Sequence, residues 1–245
     1  DVKKLKSWVK QCDAIVQLAA MNRHGDPGVI YDTNIELVKK LITALESSNH
    51  APHVLFSSST QEERDNPYGK SKFEGRKLLE DWASRNNGKF TGMIIPNVFG
   101  PFGHPYYNSV VATFCHQLTH GEEPQIHVDG ELKLIYINEL VEEFYGHVVA
   151  MQKDNTNGAI VDEVRVQHTS EIKVSRILEM LKAFREEYFN AGIFPDLSDR
   201  FTRDLFNTFV CYIDHEKFFP FHLNSLSNCK FQVALLQYRA DTFLL

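Results

Sequence analysis

The chain has 245 residues, of which 43% are hydrophobic and 24% charged, and its formal net charge is -6 at pH 7. This is the composition of a folded globular protein, long enough for one large core or for one domain with a small appendage. The negative charge argues against a nucleic-acid or anionic-membrane surface, and no apolar run reaches the ~18 residues of a membrane-spanning helix. The four cysteines lack C-x-x-C or metal-like spacing, so we expect reduced thiols, a cytoplasmic location and no bound metal.

Hydrophobic periodicity predicts alternating helices and strands over the first 95 residues. The predicted elements are a helix over 2–11, a strand over 14–18, a helix over 29–48, a strand over 54–56, a helix over 68–84 and a strand over 89–95. The helices are long enough to connect parallel strands, so the pattern predicts a parallel sheet covered on both faces. Ligands of such sheets bind beyond the carboxyl ends of the strands.

All three of these predicted strands end in residues suited to a ligand site. Ala19 and Ala20 follow the first strand, residues 57–60 (Ser-Ser-Ser-Thr) the second, and Pro96 with Asn97 the third. Two small side chains would let the backbone approach a flat or phosphate-bearing ligand closely, although alanines also simply pack against helices. Because the three strand ends would share one edge of the sheet, we expect them to line one site.

The segment 54–80 carries the densest candidate chemistry. Tyr68 and Lys72 are four residues apart and therefore lie one turn apart on one helix face. A tyrosine hydroxyl titrates near ~10, and a nearby ammonium lowers that pKa by favouring the phenolate. With Ser59 bound to the same substrate oxygen, the trio could move a proton to or from a carbonyl or alcohol while hydride moves elsewhere. The Tyr-x-x-x-Lys pair alone also arises by chance.

The second half of the sequence predicts mostly helices. We expect helices over 109–119, 136–151 (opened by residues 136–140), 174–188 (opened by residues 169–174) and 197–212, with a hairpin of strands 125–128 and 132–136 joined at Asp129-Gly130. The aromatic run 218–223 would either dock onto the domain or link it to something else. Residues 225–245 show no clear period.

Three motifs together resemble the extended short-chain dehydrogenases/reductases, the NAD-dependent epimerase/dehydratase family. They are the serine-rich strand end followed by residues 67–72 (Pro-Tyr-Gly-Lys-Ser-Lys), the Leu-Ala-Ala of residues 18–20, and residues 96–101 (Pro-Asn-Val-Phe-Gly-Pro). The resemblance implies an α/β fold, with a Rossmann-like doubly wound parallel sheet and a small C-terminal substrate-binding subdomain. It also implies an NAD(P)-dependent nucleotide-sugar oxidoreductase.

By position in these motifs, the resemblance implies roles for individual residues. Ser59 (or Thr60) is the catalytic hydroxyl, Tyr68 is the acid/base, and Lys72 tunes Tyr68 and contacts the cofactor ribose. The implied cofactor-binding residues are Leu18, Ala19, Ala20, Ser57, Ser58, Tyr68, Lys72, Ile95 and Pro96. The implied substrate-binding residues are Arg23, Asn97 and Asn108. Asn34 is implied to brace strands rather than to touch substrate.

Residues 21–23 (Met-Asn-Arg), 65–69 (Asp-Asn-Pro-Tyr-Gly) and 107–115 resemble a narrower group, the capsular-polysaccharide reductases of the CapF/WbjC type. These are UDP-2-acetamido-2,6-dideoxy-hexos-4-ulose reductases. The resemblance implies a UDP-sugar substrate, NADPH as cofactor with NADH as the alternative, a role in capsule or O-antigen sugar biosynthesis, and a homodimer as a possible assembly. A nucleotide-sugar epimerase or dehydratase and a non-catalytic dinucleotide-binding relative remain the alternatives.

Two parts of that group have no counterpart in the sequence. Its members begin with a β-α unit whose glycine turn binds pyrophosphate, and they continue into a metal-binding cupin domain. We therefore expect residues 1–223 to form a reductase domain without its first β-α unit, residues 224–245 to be an unmatched tail, and NADPH to bind poorly to this polypeptide alone.

Overall fold

The computed structural model describes residues 2–48, 50–154 and 158–214. The predicted aromatic run 218–223 and the tail 224–245 lie outside the described residues. The chain divides into two compact units, the first being Asp1–Pro96 with Asn138–His168 and the second Asn97–Ile137 with Thr169–Leu245. The backbone thus passes between the units three times.

The described elements alternate between helix and strand over most of the chain. In chain order they are α1 (Val2–Val9), β1 (Ala14–Gln17), α2 (Pro27–Ser48), β2 (His53–Ser59), a 3-10 turn (Thr60–Glu63), α3 (Pro67–Arg85), β3 (Lys89–Ile95), β4 (Asn97–Phe99), α4 (Val110–Thr119), β5 (Glu131–Tyr136), α5 (Ile137–Lys153), β6 (Ile160–Arg165), β7 (Ser170–Lys173), α6 (Val174–Phe184), a π-helical turn (Arg185–Asn190) and α7 (Arg200–Val210). None of the described helices is both long and apolar enough to cross a membrane.

The first unit is built on a four-stranded parallel sheet in the order β1-β2-β3-β6. Gln17 lies opposite Phe56, and Ser59 lies opposite Ile95. Strands β2 and β3 are buried along nearly their whole length, as expected when helices cover both faces of a parallel sheet. The core of this unit includes Leu41, Leu45, Val54, Phe56, Leu79, Trp82 and Phe90. The predicted parallel α/β sheet is confirmed.

The start of α3 follows from its local sequence. The Asn66 side chain accepts a hydrogen bond from the Gly69 amide at 2.8 Å, and Pro67 occupies the first helical position, where no amide hydrogen is needed. A Cβ added at Gly69 would lie 2.0 Å from the Gln61 carbonyl oxygen, so only glycine lets the 3-10 turn lie this close to the helix. The loop between Ser59 and Tyr68 is thereby held against α3.

The second unit has its own sheet and its own core. Strand β5 pairs in parallel with β4 and antiparallel with β7. Its core is rich in aromatic and aliphatic side chains, including Phe99, Phe114, Leu118, Ile177, Leu181, Phe184, Leu205, Phe206 and Phe209.

The predicted hairpin of the second unit is wrong. Residues 125–128 form no strand, because β5 finds its partners in β4 and β7 instead. Asp129, placed in the hairpin turn by the prediction, accepts hydrogen bonds from the Ser175 amide at 2.7 Å and the Ser175 hydroxyl at 2.9 Å. Its side chain therefore supports the first turn of α6.

Several element boundaries also differ from the prediction. Strand β2 continues through Ser57–Ser59, which pair with Met93–Ile95, although these serines were expected to lie beyond the strand. Residues 170–173 form β7 rather than opening a helix. The helix predicted over 174–188 becomes a π-helical turn after Phe184, and the one predicted over 197–212 begins after Asp199, which caps it through the Thr202 amide.

Candidate active site

The carboxyl ends of β1, β2 and β3 lie side by side at one edge of the first sheet. The Ser57 hydroxyl donates to the Gln17 carbonyl at 3.2 Å and so joins the ends of β1 and β2. Ser59 is paired with Ile95 at the end of β3. This adjacency, which the strand pattern predicted, brings Ser59, Ile95 and Pro96 to the same edge as the loop that follows β1.

Lys72 is buried beneath this edge. Its side chain extends from α3, the residue is 2% exposed, and Nζ donates to the Ser57 carbonyl at 2.7 Å. Nζ lies 4.9 Å from the centroid of the Phe56 ring and 5.7 Å from that of the Tyr68 ring. Burial lowers the pKa of Lys72 to about 8, and the charge of Glu62 opposes that shift. A cation held here would stabilise negative charge on the Tyr68 oxygen during proton transfer.

Ser59 is fixed by the turn that follows it. Its hydroxyl oxygen accepts from the Gln61 amide at 3.2 Å and caps the 3-10 turn. Its hydrogen is therefore still available to donate to a substrate oxygen. Ser59 and Tyr68 are both half-buried. The structure thus places a hydroxyl, a phenol and a buried amine in one short region of the first unit.

Asn34 holds the loop after β1 in position. This buried side chain accepts from the Met21 amide at 2.6 Å and donates to the Met21 carbonyl and the Ser71 hydroxyl, both at 2.9 Å. It was expected to brace strands, and it braces this loop against α3 instead. Leu18, Ala19 and Ala20, just before the braced residue, are exposed.

An ion cluster with a buried centre, which the sequence did not predict, lies next to these residues. The Arg76 guanidinium binds Glu62 at 2.7 Å, Glu80 at 2.6 Å and Glu163 at 2.5 Å, and the side chains of Arg76 and Glu62 are only 4% and 6% exposed. Its hydrogen bonds to Glu62 raise the pKa of Arg76, so it stays charged. The Ser58 hydroxyl donates to Glu62 as well. The four-residue spacing of Tyr68, Lys72, Arg76 and Glu80 was the available sequence signal.

The remaining site residues lie in different places. Ile95 and Pro96 are buried at the end of β3, and Arg23 is exposed in the loop after β1. Asn97 and Asn108 are exposed and belong to the second unit. The predicted roles of all these residues remain predictions.

No group of three or more His, Cys, Asp or Glu side chains within the described ranges is arranged to hold a metal ion. The rings of His116 and His120, four residues apart on the sequence, stack with centroids 4.0 Å apart.

The chain is similar to known proteins in both sequence and structure. The sequence model of the NAD dependent epimerase/dehydratase family matches residues 1–161. A Pseudomonas aeruginosa protein, UDP-2-acetamido-2,6-beta-L-arabino-hexul-4-ose reductase, is 30% identical over 218 residues, which are 89% of this chain and 57% of that protein.

Solved structures give the same picture. The capsular polysaccharide assembling protein CapF from Staphylococcus aureus is 29% identical with a TM-score of 0.71, covering 88% of this chain and 56% of that one. UDP-glucose 4-epimerase from Thermotoga maritima is 20% identical with a TM-score of 0.69, covering 86% and 81%, and shares the fold. The chain thus spans somewhat more than half the length of the reductase and of CapF.

Proposed function

The chain belongs to the NAD dependent epimerase/dehydratase family, and on this premise we propose that it reduces the 4-keto group of a UDP-linked N-acetyl-6-deoxyhexose with NADPH. The relative named as a UDP-sugar 4-keto reductase supports the substrate class. The observation that carries the proposal is the position of Lys72. Its buried amine lies beside the Tyr68 ring and donates a hydrogen bond to the Ser57 carbonyl, near the end of the strand that bears Ser59. We also propose that the protein acts in the cytoplasm, in a capsule or O-antigen sugar pathway, and that it assembles as a homodimer.

The residues fit a bound nicotinamide dinucleotide. Leu18 to Ala20 offer exposed apolar and small side chains at the end of β1, a surface suited to a flat ring and to close backbone approach. Lys72 supplies a cation for the ribose hydroxyls, and Ile95 and Pro96 supply backbone at the end of β3. When bound, the cofactor supplies the hydride for carbon 4.

Residues of this chain supply the proton that the substrate oxygen receives. Ser59 and Tyr68 donate hydrogen bonds to the carbonyl oxygen of the substrate, which draws electron density toward that oxygen and makes carbon 4 more electrophilic. As hydride arrives at that carbon, the Tyr68 hydroxyl gives its proton to the oxygen and an alcohol is formed. Lys72 stabilises the phenolate left on Tyr68 until solvent returns the proton. Arg23, Asn97 and Asn108 are proposed to hold the sugar nucleotide.

The reaction is tested by mixing the intact full-length protein, including any residues that flank this sequence, with NADPH and a UDP-linked 4-keto-6-deoxyhexose. We expect one NADPH to be oxidised for each alcohol formed, with NADH serving less well. An epimerase or dehydratase of the same family would convert substrate without net oxidation of NADPH, because its cofactor is recycled in each turnover. Conversion of substrate without NADPH oxidation would therefore overturn the reductase proposal in favour of that alternative.

Tyr68→Phe tests the proton donor. The variant keeps the ring and its contact with Lys72 but loses the hydroxyl, so we expect kcat to fall by roughly 10²–10⁴-fold. NADPH affinity, measured by fluorescence titration, should be unchanged. Tyr145→Phe is the matched control, because Tyr145 is an exposed residue of α5. Full activity in Tyr68→Phe would show that another group donates the proton.

A further inference from the structure

We propose that Glu62 is a positioning residue for the candidate active site: its buried carboxylate fixes the segment that carries Ser59 and keeps a negative charge beside the Lys72 ammonium. This inference rests on the roles assigned above to Ser59, Tyr68 and Lys72. Glu62 itself lies in the 3-10 turn that follows β2 and would act through these residues, without contacting substrate.

The contacts of Glu62 are unusually complete for a carboxylate. Arg76 reaches it with two nitrogens, Nε at 3.0 Å and Nη2 at 2.7 Å, and the Ser58 hydroxyl donates to it from the strand. Charged groups this well buried are stable in a protein only when they are paired and hydrogen-bonded. The arrangement therefore fixes the 3-10 turn, which begins next to Ser59, against both β2 and α3.

Lys72 and Glu62 flank the same peptide unit. The Lys72 ammonium donates to the carbonyl of Ser57, and Glu62 accepts from the side chain of the next residue, Ser58. Lys72 and Arg76 lie one turn apart on one face of α3. Lys72 therefore binds Ser57 directly, whereas Arg76 is linked to Ser58 through Glu62. Displacing Glu62 would consequently loosen the strand end at the point where Lys72 is anchored.

Space for Arg76 is made by Gly92 on β3. A Cβ at Gly92 would lie 2.6 Å from Cδ of Arg76, so the missing side chain lets the arginine pass over the sheet toward Glu163 on β6. Of the three carboxylates on Arg76, Glu62 is the one whose charge acts on Lys72. Glu80 binds the same guanidinium without bridging to β2, which makes it a natural control.

The charge environment of Lys72 predicts the direction of the effect. Nζ faces the Ser57 carbonyl and the Phe56 ring from β2, the Tyr68 ring from α3, and the charge of Glu62 from the 3-10 turn. Arg76, the next cation along α3, is paired with Glu80 and Glu163 as well as with Glu62. Removing the charge of Glu62 takes away the attraction that favours the ammonium, so Lys72 should lose its proton at lower pH.

The test compares Glu62→Gln with Glu80→Gln. In protein carrying 13C at the lysine ε-carbons, the Lys72 resonance is assigned by its absence in Lys72→Arg and followed from pH 6 to 11. We expect the Lys72 midpoint to fall by about half a pH unit or more in Glu62→Gln and to stay at the wild-type value in Glu80→Gln. The alkaline limb of the kcat/KM profile should move to lower pH by the same amount in Glu62→Gln alone.

Other outcomes have defined meanings. An unchanged Lys72 midpoint in Glu62→Gln, or equal shifts in both variants, would overturn the proposal, since a purely structural role lowers activity without moving a titration. If Glu62→Gln does not fold, Glu62→Asp, which withdraws the carboxylate by one methylene, must lower the midpoint in the same direction, and an unchanged value overturns the proposal. Because the titration needs no substrate, absence of NADPH oxidation would count against the proposed function alone.

Discussion

Among single residues, His53 is a buried titratable group whose protonation should control stability. It is 5% exposed, its Nε2 lies 2.9 Å from the Thr91 hydroxyl, and its Nδ1 is buried without a hydrogen-bond partner among the described residues. Burial lowers the pKa of His53 to about 4. A charged imidazole would leave a buried N–H without an acceptor, so the folded state strongly favours the neutral ring.

His53 should therefore destabilise the first unit in acid. The unfolded chain takes up the proton near pH 6.5 and the folded chain near pH 4, so the unfolded state binds more protons between these values and stability falls as pH falls. We expect a loss of up to about 3 kcal/mol in the free energy of unfolding. His53→Gln keeps a polar group near Thr91 without a titrating ring. Urea unfolding followed by tryptophan fluorescence should show wild type losing stability relative to His53→Gln from pH 6.5 to 4, and parallel curves would contradict the assignment.

At this scale the sequence predicted the shared face of Tyr68 and Lys72, because helical spacing is a local property. It did not predict what surrounds them. The partner of Lys72 is a backbone carbonyl, which carries no side-chain signal, and Arg76 meets Glu163 across 87 residues of sequence. Such pairs form only when the sheet assembles, so they cannot be read from a local pattern.

For the elements, the junction of the 3-10 turn with α3 gives a sharp test. In an exposed helix, Gly→Ala stabilises by about 0.5–1 kcal/mol. Gly69→Ala should do the opposite, because the new methyl would meet the Gln61 carbonyl at 2.0 Å and push the turn away from the helix. We expect a loss of roughly 1–3 kcal/mol together with lower activity.

Gly146→Ala provides the matched control for that substitution. Gly146 also lies within a helix, α5, and an added Cβ there has nothing within 4 Å. Thermal unfolding should show a raised Tm for Gly146→Ala and a lowered Tm for Gly69→Ala. Equal Tm shifts in the two variants would mean that the 3-10 turn moves away from α3 without a loss of stability.

The strands that the sequence did not predict are either very short or largely exposed. Strands β4 and β7 have only 3 and 4 residues, too few for a period to emerge. Strand β6 lies at an edge and is largely exposed, so its sequence lacks the continuous apolar run of β2. The long helices and the buried strands were predicted with small boundary errors, because their apolar residues follow a regular local pattern along the sequence.

At the scale of the whole molecule, the chain forms two units that alternate along the sequence, each with its own core. Leu79 is fully buried in the first core and Leu181 in the second. The parallel sheet was predictable from the strand and helix order. The division was not, because the second unit takes residues from both sides of α5, Asn97–Ile137 as well as Thr169–Leu245.

The two cores can be probed separately. Leu79→Ala and Leu181→Ala should each cost about 2–5 kcal/mol, since each leaves a cavity in a closely packed core. Both tryptophans, Trp8 and Trp82, lie in the first unit, so their fluorescence reports on Leu79→Ala. Hydrogen exchange followed by mass spectrometry should show faster exchange first in α6 and α7 for Leu181→Ala. Faster exchange confined to the first unit in that variant would contradict the assignment of Leu181 to the second core.

The interleaving also has a consequence for synthesis on the ribosome. Residue 89 on β3 pairs with residue 160 on β6, so one edge of β3 has no partner until a further stretch of about 70 residues has been translated. At roughly 5–20 residues per second, that delay lasts on the order of 4–14 s. During this interval the nascent chain carries an open strand edge, and Arg76 awaits Glu163, although every residue from β1 to α3 has already been made. The nascent chain is thus most prone to incorrect strand pairing at β3 just after its candidate catalytic segment has been translated. This is the stage at which we expect a chaperone to matter most.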